Sequence, residues 1–346
     1  MNQRLSNLRR RDFLKLAAVG GLALSIPLIG NRISPRFVGQ NRNTSYSTSF
    51  NAIGTVVTIQ IDDAISSDLA TQIFDSVAGS INGLGTVLTR FPGGTDLYSL
   101  NQSGTQEDPS PDLLNVMEAA THFSESTEGS FDVTVKPVLD LLQGYLSGQP
   151  FPSDSQFDSA LQLIGYEDVS TSNSMVSFSK PGMGVTLDGI ATGYILDESI
   201  ALLKSRGIKS AYVNFGGTLA TIGSRANGSP WEVGVVDPIT PTNVIGTLYL
   251  KDQAVATSGD YEDYYTTNKD YYHIIDPFTA RSPLFSHSAT VVASTSMLSD
   301  PLGVALMVES PNDAMRLMDS FQAECLLYTD SSGVMMSSGM KQLMTK

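Results

Sequence analysis

The sequence predicts an α+β protein. Strand-like and helical segments follow one another without the strict strand–helix–strand rhythm of a doubly wound sheet. At 346 residues, 41% hydrophobic and 16% charged, the chain can bury a large core and lies well outside disordered composition. Single cores stop growing near about 250–300 residues, so length alone allows one large domain or two smaller ones.

The N-terminus differs from the rest. Arg9, Arg10 and Arg11, then Asp12-Phe13-Leu14-Lys15, precede the apolar run Leu16 to Ile29. That run is shorter than the roughly 20 residues of a membrane span and is interrupted by Gly20, Gly21 and Pro27. Basic start, apolar stretch and breaker in this order read as a signal peptide over residues 1–30. The Arg10-Arg11 pair resembles the twin-arginine export signal, whose pathway carries folded proteins, so a periplasmic or otherwise extracytoplasmic location is expected. No Ala-x-Ala cleavage site is evident, which leaves an uncleaved anchor open. Residues 31–48, rich in Asn, Ser, Thr and Arg, read as a linker, and a single domain is expected over 49–346.

Residues 1–36 carry seven basic and one acidic side chain, so the remaining chain has a net charge of −20, six units beyond the −14 of the whole. Such a body lacks the basic footprint that nucleic acid requires and is repelled by anionic membranes. Membrane contact is therefore expected only through an uncleaved anchor or a membrane-bound partner. The single Cys325 cannot form an internal disulfide and, within Cys325-Leu326-Leu327-Tyr328, reads as a buried structural thiol.

Along the chain, Thr55 to Ile61 is β-branched with partial alternation and predicts a strand, and Ala64 to Leu84 has helical spacing. Asp112 to Phe123 is a further helix, closed by Thr127-Glu128-Gly129. Val185 to Gly189 reads as a strand running into a turn, followed by a helix from Gly193 to Arg206 that Gly207 stops. Strands are expected at Ala211–Phe215, Trp231–Val236, Gly246–Leu250 and Ser288–Ser294, and helices at Pro301–Val308 and Asn312–Phe321.

Four segments combine small residues with isolated polar groups, which lets backbone approach a ligand closely. In Leu187-Asp188-Gly189-Ile190-Ala191-Thr192-Gly193-Tyr194 an acidic residue precedes a helix N-terminus, a place for phosphate or a cation. Gly216-Gly217 after Val213-Asn214-Phe215 is either a ligand cradle or a plain tight turn. Thr257-Ser258-Gly259-Asp260 and His273-Ile274-Ile275-Asp276-Pro277 form the densest polar cluster, although His273 between Tyr272 and Ile274 also reads as a satisfied core histidine. Asp300, before Pro301, either caps a helix or ligates a hard cation.

Taken in order, Gly54-Thr55, Phe131-Asp132-Val133-Thr134, Gly189-Ile190-Ala191-Thr192-Gly193-Tyr194, Gly216-Gly217, Thr257-Ser258-Gly259-Asp260, His273-Ile274-Ile275-Asp276-Pro277 and Ser299-Asp300 resemble the ApbE family of FAD:protein FMN transferases over roughly residues 50–330. The resemblance implies mixed sheets flanked by helices around a flavin-nucleotide cleft. It further implies cleavage of FAD, transfer of FMN to a Ser or Thr hydroxyl of an acceptor flavoprotein, release of AMP, and Mg²⁺ on the diphosphate. It assigns FAD binding to Gly54, Thr55, Asp132, Gly193, Gly216, Gly217, Thr257, Ser258, Gly259, Asp260 and His273. His273 and Asp276 are the expected catalytic pair, and Asp300, Asp188 and Gly189 the expected metal ligands. There are departures: Thr192 stands where Lys is common, Thr218 where an acidic residue is common, Ala280 where Gly is usual, and Val304 where a threonine supplies an oxygen. A metal-dependent FAD pyrophosphatase and a non-catalytic flavin-binding assembly factor stay open beside the transferase.

Overall fold

Residues 36–38, 45–261, 264–268 and 270–345 are described by the structure, a computed structural model. The signal-like segment lies outside them. The chain opens with strands β1 (Arg36–Val38), β2 (Ser45–Ala52) and β3 (Thr55–Ile61). β3 is buried at every second residue, as its alternation predicts for a strand with one face on the core. Ile53 and Gly54 join β2 to β3 with φ of 47° and 75°, the positive values a two-residue primed hairpin turn needs. Because β2 starts at Ser45, regular structure begins inside the segment read as a linker.

Helix α1 (Ser67–Leu88) follows, its first turn capped by Ser66 Oγ accepting from Leu69 N, with Ala70, Ile73, Phe74, Val77 and Ile81 on its buried stripe. Next come α2 (Asp96–Ser103), β4 (Thr105–Glu107), α3 (Pro111–Ser126), α4 (Lys136–Leu146), α5 (Asp154–Leu161), β5 (Val169–Ser172) and β6 (Met175–Phe178). The second half holds α6 (Ala191–Ser205), β7 (Ala211–Phe215), β8 (Thr218–Ile222), β9 (Trp231–Val236), β10 (Val244–Leu250), β11 (Ala254–Gly259) and β12 (Ser288–Ala293). It closes with α7 (Ser296–Val308), α8 (Pro311–Met318), β13 (Glu324–Thr329), β14 (Gly333–Met336) and α9 (Ser338–Leu343).

Nine of these strands form one antiparallel sheet in the order β1-β2-β3-β7-β8-β11-β12-β13-β14. On one face Val57, Ile59, Val213, Ala220 and Val291 pack under Ile73 of α1, Ile195 of α6, and Leu302 and Leu306 of α7. On the other, Leu219, Val255, Val292 and Leu326 meet the β9–β10 hairpin and Met340 of α9. β12, covered on both faces, is buried at all six positions, the hydroxyls of Ser288 and Thr290 included. The α+β expectation holds.

Two expected elements differ. Val185 to Gly189 is not a strand: Asn101 Nδ2 donates to Val185 O at 2.9 Å, Val185 N donates to Asn101 Oδ1 at 2.7 Å, and Thr186 N donates to Val133 O at 2.8 Å. A side chain and the 3-10 turn at Val133–Val135 thus satisfy the backbone that a neighbouring strand would have paired. Helix α7 begins at Ser296, not at Pro301, because its first amides find a carboxylate on α6.

Candidate active site

Glycine turns and the strand ends beside them make the floor of the site. Val57 pairs with Phe215, so Thr55 lies next to the Gly216-Gly217 turn between β7 and β8. Gly216 (φ 64°) and Gly217 (φ 108°) both hold left-handed conformations, and a Cβ on Gly216 would stand 2.6 Å from Thr55 Oγ1. Thr55 Oγ1 is itself buried without a hydrogen-bond partner among the described residues. Across the sheet, Thr257 Oγ1 meets Thr290 Oγ1 at 2.9 Å, and Ser258 Oγ lies 2.9 Å from where Gly303 of α7 would carry a Cβ.

One wall is the crossing of α6 and α7. A Cβ on Gly193 would stand 2.5 Å from Ser296 O, so the two helix starts touch backbone to backbone only because residue 193 has no side chain. Two carboxylates lock this approach reciprocally. Asp300 Oδ2, on α7, accepts from Gly193 N of α6 at 3.0 Å. Asp197, on α6, accepts from Ser296 N at 2.8 Å and Met297 N at 2.9 Å of α7. Burial pushes the Asp197 carboxyl above its ordinary value against the lowering effect of those amides. Replacing Asp197 by Ala is expected to lower the unfolding free energy by about 2 kcal/mol, since it strands two donors at a helix start. A urea melt measures this, and an unchanged midpoint would refute the clasp.

The same wall continues through Gly189, whose absent Cβ would stand 3.0 Å from Val304 Cγ2 and 3.4 Å from Phe131 Cε2. Asp132 beside it is buried, with Oδ1 accepting from Thr134 N (2.8 Å) and Thr134 Oγ1 (2.6 Å) and Oδ2 from Tyr166 N (3.0 Å). Burial raises its pKa while these hydrogen bonds oppose the shift. Asp132 thus shapes the Phe131 turn with its own carboxylate.

An arch between β11 and β12 carries His273. Ile275 and Ala280 are buried in a cluster with Val138, Leu139 and Leu142 of α4 and Phe157 of α5, which fixes the middle of the arch. Phe278 returns to within 3.5 Å of the position a Gly129 side chain would take, next to the Phe131 wall. His273 Nδ1 is buried and has no hydrogen-bond partner among the described residues. Asp276, expected to act with it, turns the other way: Oδ1 accepts from Phe278 N and Oδ2 from Thr279 Oγ1, both at 2.8 Å. It builds a tight turn that places Ala280 at φ 55°, which explains why glycine is usual there; the buried methyl offsets part of the strain.

Asp260 also turns to a chain partner. Its Oδ2 lies 2.5 Å from His287 Nδ1, while His287 Nε2 lies 2.8 Å from Asp330 Oδ1. Burial disfavours the charged ring, but hydrogen bonds to Asp330 and Asp260 outweigh it and raise the His287 pKa. This carboxylate–imidazole–carboxylate row ties both feet of the arch to the β13–β14 turn.

The expected cation set of Asp300, Asp188 and Gly189 has part of its oxygen supply already engaged. Asp188 Oδ2 accepts from Arg90 Nε at 3.1 Å, Asp300 Oδ2 is engaged by an amide, and the side chain abutting Gly189 is Val304, which has no oxygen. The motifs gave no sign of Asn101, Arg90 or Asp197, whose partners lie 84, 98 and 99 residues away in sequence.

An antiparallel sheet with a glycine-turn floor, a locked helix-start wall and an arch whose His273 Nδ1 has no hydrogen-bond partner among the described residues defines an α+β protein with a glycine-lined site. The chain belongs to the ApbE family, whose model matches residues 53–327. The FAD:protein FMN transferase of Vibrio cholerae is 31% identical over 242 residues, covering 67% of this chain and 72% of that protein. That of Haemophilus influenzae is 26% identical over 324 residues, covering 89% and 93%. Among solved structures, the ApbE protein of Thermotoga maritima superposes with a TM-score of 0.80 at 27% identity, over 87% of this chain and all of that one. The flavin transferase ApbE of Vibrio cholerae does so with a TM-score of 0.78 at 25% identity, again over 87% and 100%.

Proposed function

We propose that this chain is a FAD:protein FMN transferase. It takes FAD as substrate, moves FMN through a phosphoester bond to a Ser or Thr hydroxyl of an acceptor flavoprotein, and releases AMP. The observation that carries this is the buried Nδ1 of His273, without a hydrogen-bond partner among the described residues, on an arch anchored against α4 and α5. Family membership supplies the reaction class.

The chemistry asks for positioning more than for covalent assistance by the protein. The acceptor oxygen forms a bond to the phosphorus on the FMN side, the bridging P–O bond breaks, and the electron pair leaves with AMP. His273 Nδ1 receives the hydroxyl proton, because no group among the described residues hydrogen-bonds to it. The Gly216-Gly217 turn and Thr55 let the nucleotide lie against backbone. The Mg²⁺ implied by the resemblance would neutralise diphosphate charge when bound. With Val304 giving no oxygen, no step here runs through it. Export by the twin-arginine pathway belongs to the same reading, on the strength of Arg10-Arg11 and the following apolar run.

The test is incubation of the purified protein with FAD and an acceptor, with and without Mg²⁺. A fluorescent acceptor band that survives denaturation is the expected result. FMN and AMP formed equally well without acceptor would replace transfer by hydrolysis, and tight FAD binding without turnover would make the protein a flavin carrier.

A further inference from the structure

Arg90 follows the end of α1 and reaches the start of α6. Its guanidinium lies over the Phe91 ring, with Cζ 4.4 Å from the centroid, and its Nε donates to Asp188 Oδ2 at 3.1 Å. The Arg90 side chain is 9% exposed, whereas that of Asp188 is 60% exposed. This is an uneven pairing. Most of the Arg90 side chain is covered while its Nη nitrogens are not buried, and the solvent-facing carboxylate engages it through Nε alone. Nη1 and Nη2 have no hydrogen-bond partner among the described residues. A planar fork with its outer edge unused, stacked on an aromatic ring and fixed at Nε, is preorganised for a bidentate anion.

The surroundings say which anion. Asp188 is followed at once by Gly189, where the wall of the site runs to Val304 and Phe131. No Lys or Arg occurs from Asp188 to Leu203, with Thr192 in the first turn of α6, so this helix start brings no cation of its own. Its Gly193 amide is already taken by Asp300, which leaves the helix less to offer an anion. Beyond residue 36 the chain carries a net −20, and a doubly charged ligand entering such a body needs a local positive group.

We propose that Arg90 is a diphosphate-binding residue of this site: its Nη edge takes phosphate oxygens of FAD while Asp188 holds Nε and sets the direction of the fork. The assignment rests on the reading that FAD is the substrate. It makes Arg90 the group that separates phosphate-bearing flavins from riboflavin.

Dissociation constants of FAD, ADP and riboflavin for the full chain, its Arg90→Gln and its Arg90→Lys variants test this. Arg90→Gln is expected to weaken FAD and ADP by about tenfold or more and to leave riboflavin within twofold. Arg90→Lys, which keeps the charge and loses the fork, falls between, and the salt dependence of FAD binding becomes shallower in Arg90→Gln. The proposal is overturned if folded Arg90→Gln binds FAD and ADP within twofold of the wild type, or if riboflavin is lost in proportion, the sign of a merely structural role. Should Arg90→Gln not fold, Arg90→Lys decides: FAD affinity equal to wild type at every salt concentration counts against the fork. A wild-type chain that binds neither FAD nor ADP removes the transferase reading itself, a result distinct from wild-type binding that Arg90 variants leave untouched.

Discussion

Replacing His273 by Asn is expected to lower FMN transfer by about 10²–10⁴-fold while reducing FAD affinity far less. The imidazole stands on a segment whose other side chains are committed to packing: Tyr272 is buried, with its hydroxyl donating to Pro283 O at 2.8 Å, and Ile274 and Ile275 are buried in two different clusters. A core histidine in such a place would have both ring nitrogens satisfied or exposed to water. Here Nδ1 is neither, which leaves a ligand proton as its natural partner. Asparagine keeps polarity and much of the volume, so the fold should tolerate it. The acceptor band gives the rate and flavin fluorescence quenching gives the affinity. A variant that transfers FMN at the wild-type rate would remove His273 from the reaction, and one that loses binding and rate equally would make it a binding residue instead.

How much of this was legible in the sequence follows from what each feature depends on. The strands at Thr55–Ile61, Ala211–Phe215 and Trp231–Val236 emerge at those bounds because burial on one face imposes a local period. β8, β11 and β13 were missed as strands: Thr218–Ile222 is buried at every residue, and Thr257-Ser258-Gly259 hides strand character under polar residues and a glycine. The glycine turns were legible because a positive φ demands a residue type. Carboxylate roles were not. Asp276 and Asp132 spend their oxygens on amides two or more residues away, whereas Asp188, Asp197 and Asp300 reach helices or loops about a hundred residues distant. Residue type at a motif position tells which atoms are on offer; only the fold decides which partner reaches them first.

Gly193 carries the other large effect. Gly193→Ala is expected to destabilise the protein by about 1–3 kcal/mol and to lower transfer by about 100-fold. The added methyl would meet Ser296 O at 2.5 Å, Ser296 C at 2.8 Å and Met297 Cα at 3.0 Å, all of them backbone atoms that no rotamer change can move aside. Relief requires α6 and α7 to separate. That motion pulls the Gly193 amide from Asp300 and the Ser296 and Met297 amides from Asp197, so packing and capping fail together. It also shifts Gly189 against Val304, in the wall that faces the substrate. Gly79→Ala is the matching control: residue 79 is an exposed interior position of α1 with nothing within 4 Å of its absent Cβ, so alanine there should stabilise the helix by up to about 1 kcal/mol. Urea midpoints and transfer rates of the two variants, measured side by side, separate the general preference of helices for alanine from the specific demand of this crossing. Equal behaviour of the two would mean that the helices tolerate separation and that the reciprocal clasp does not set the geometry of the site.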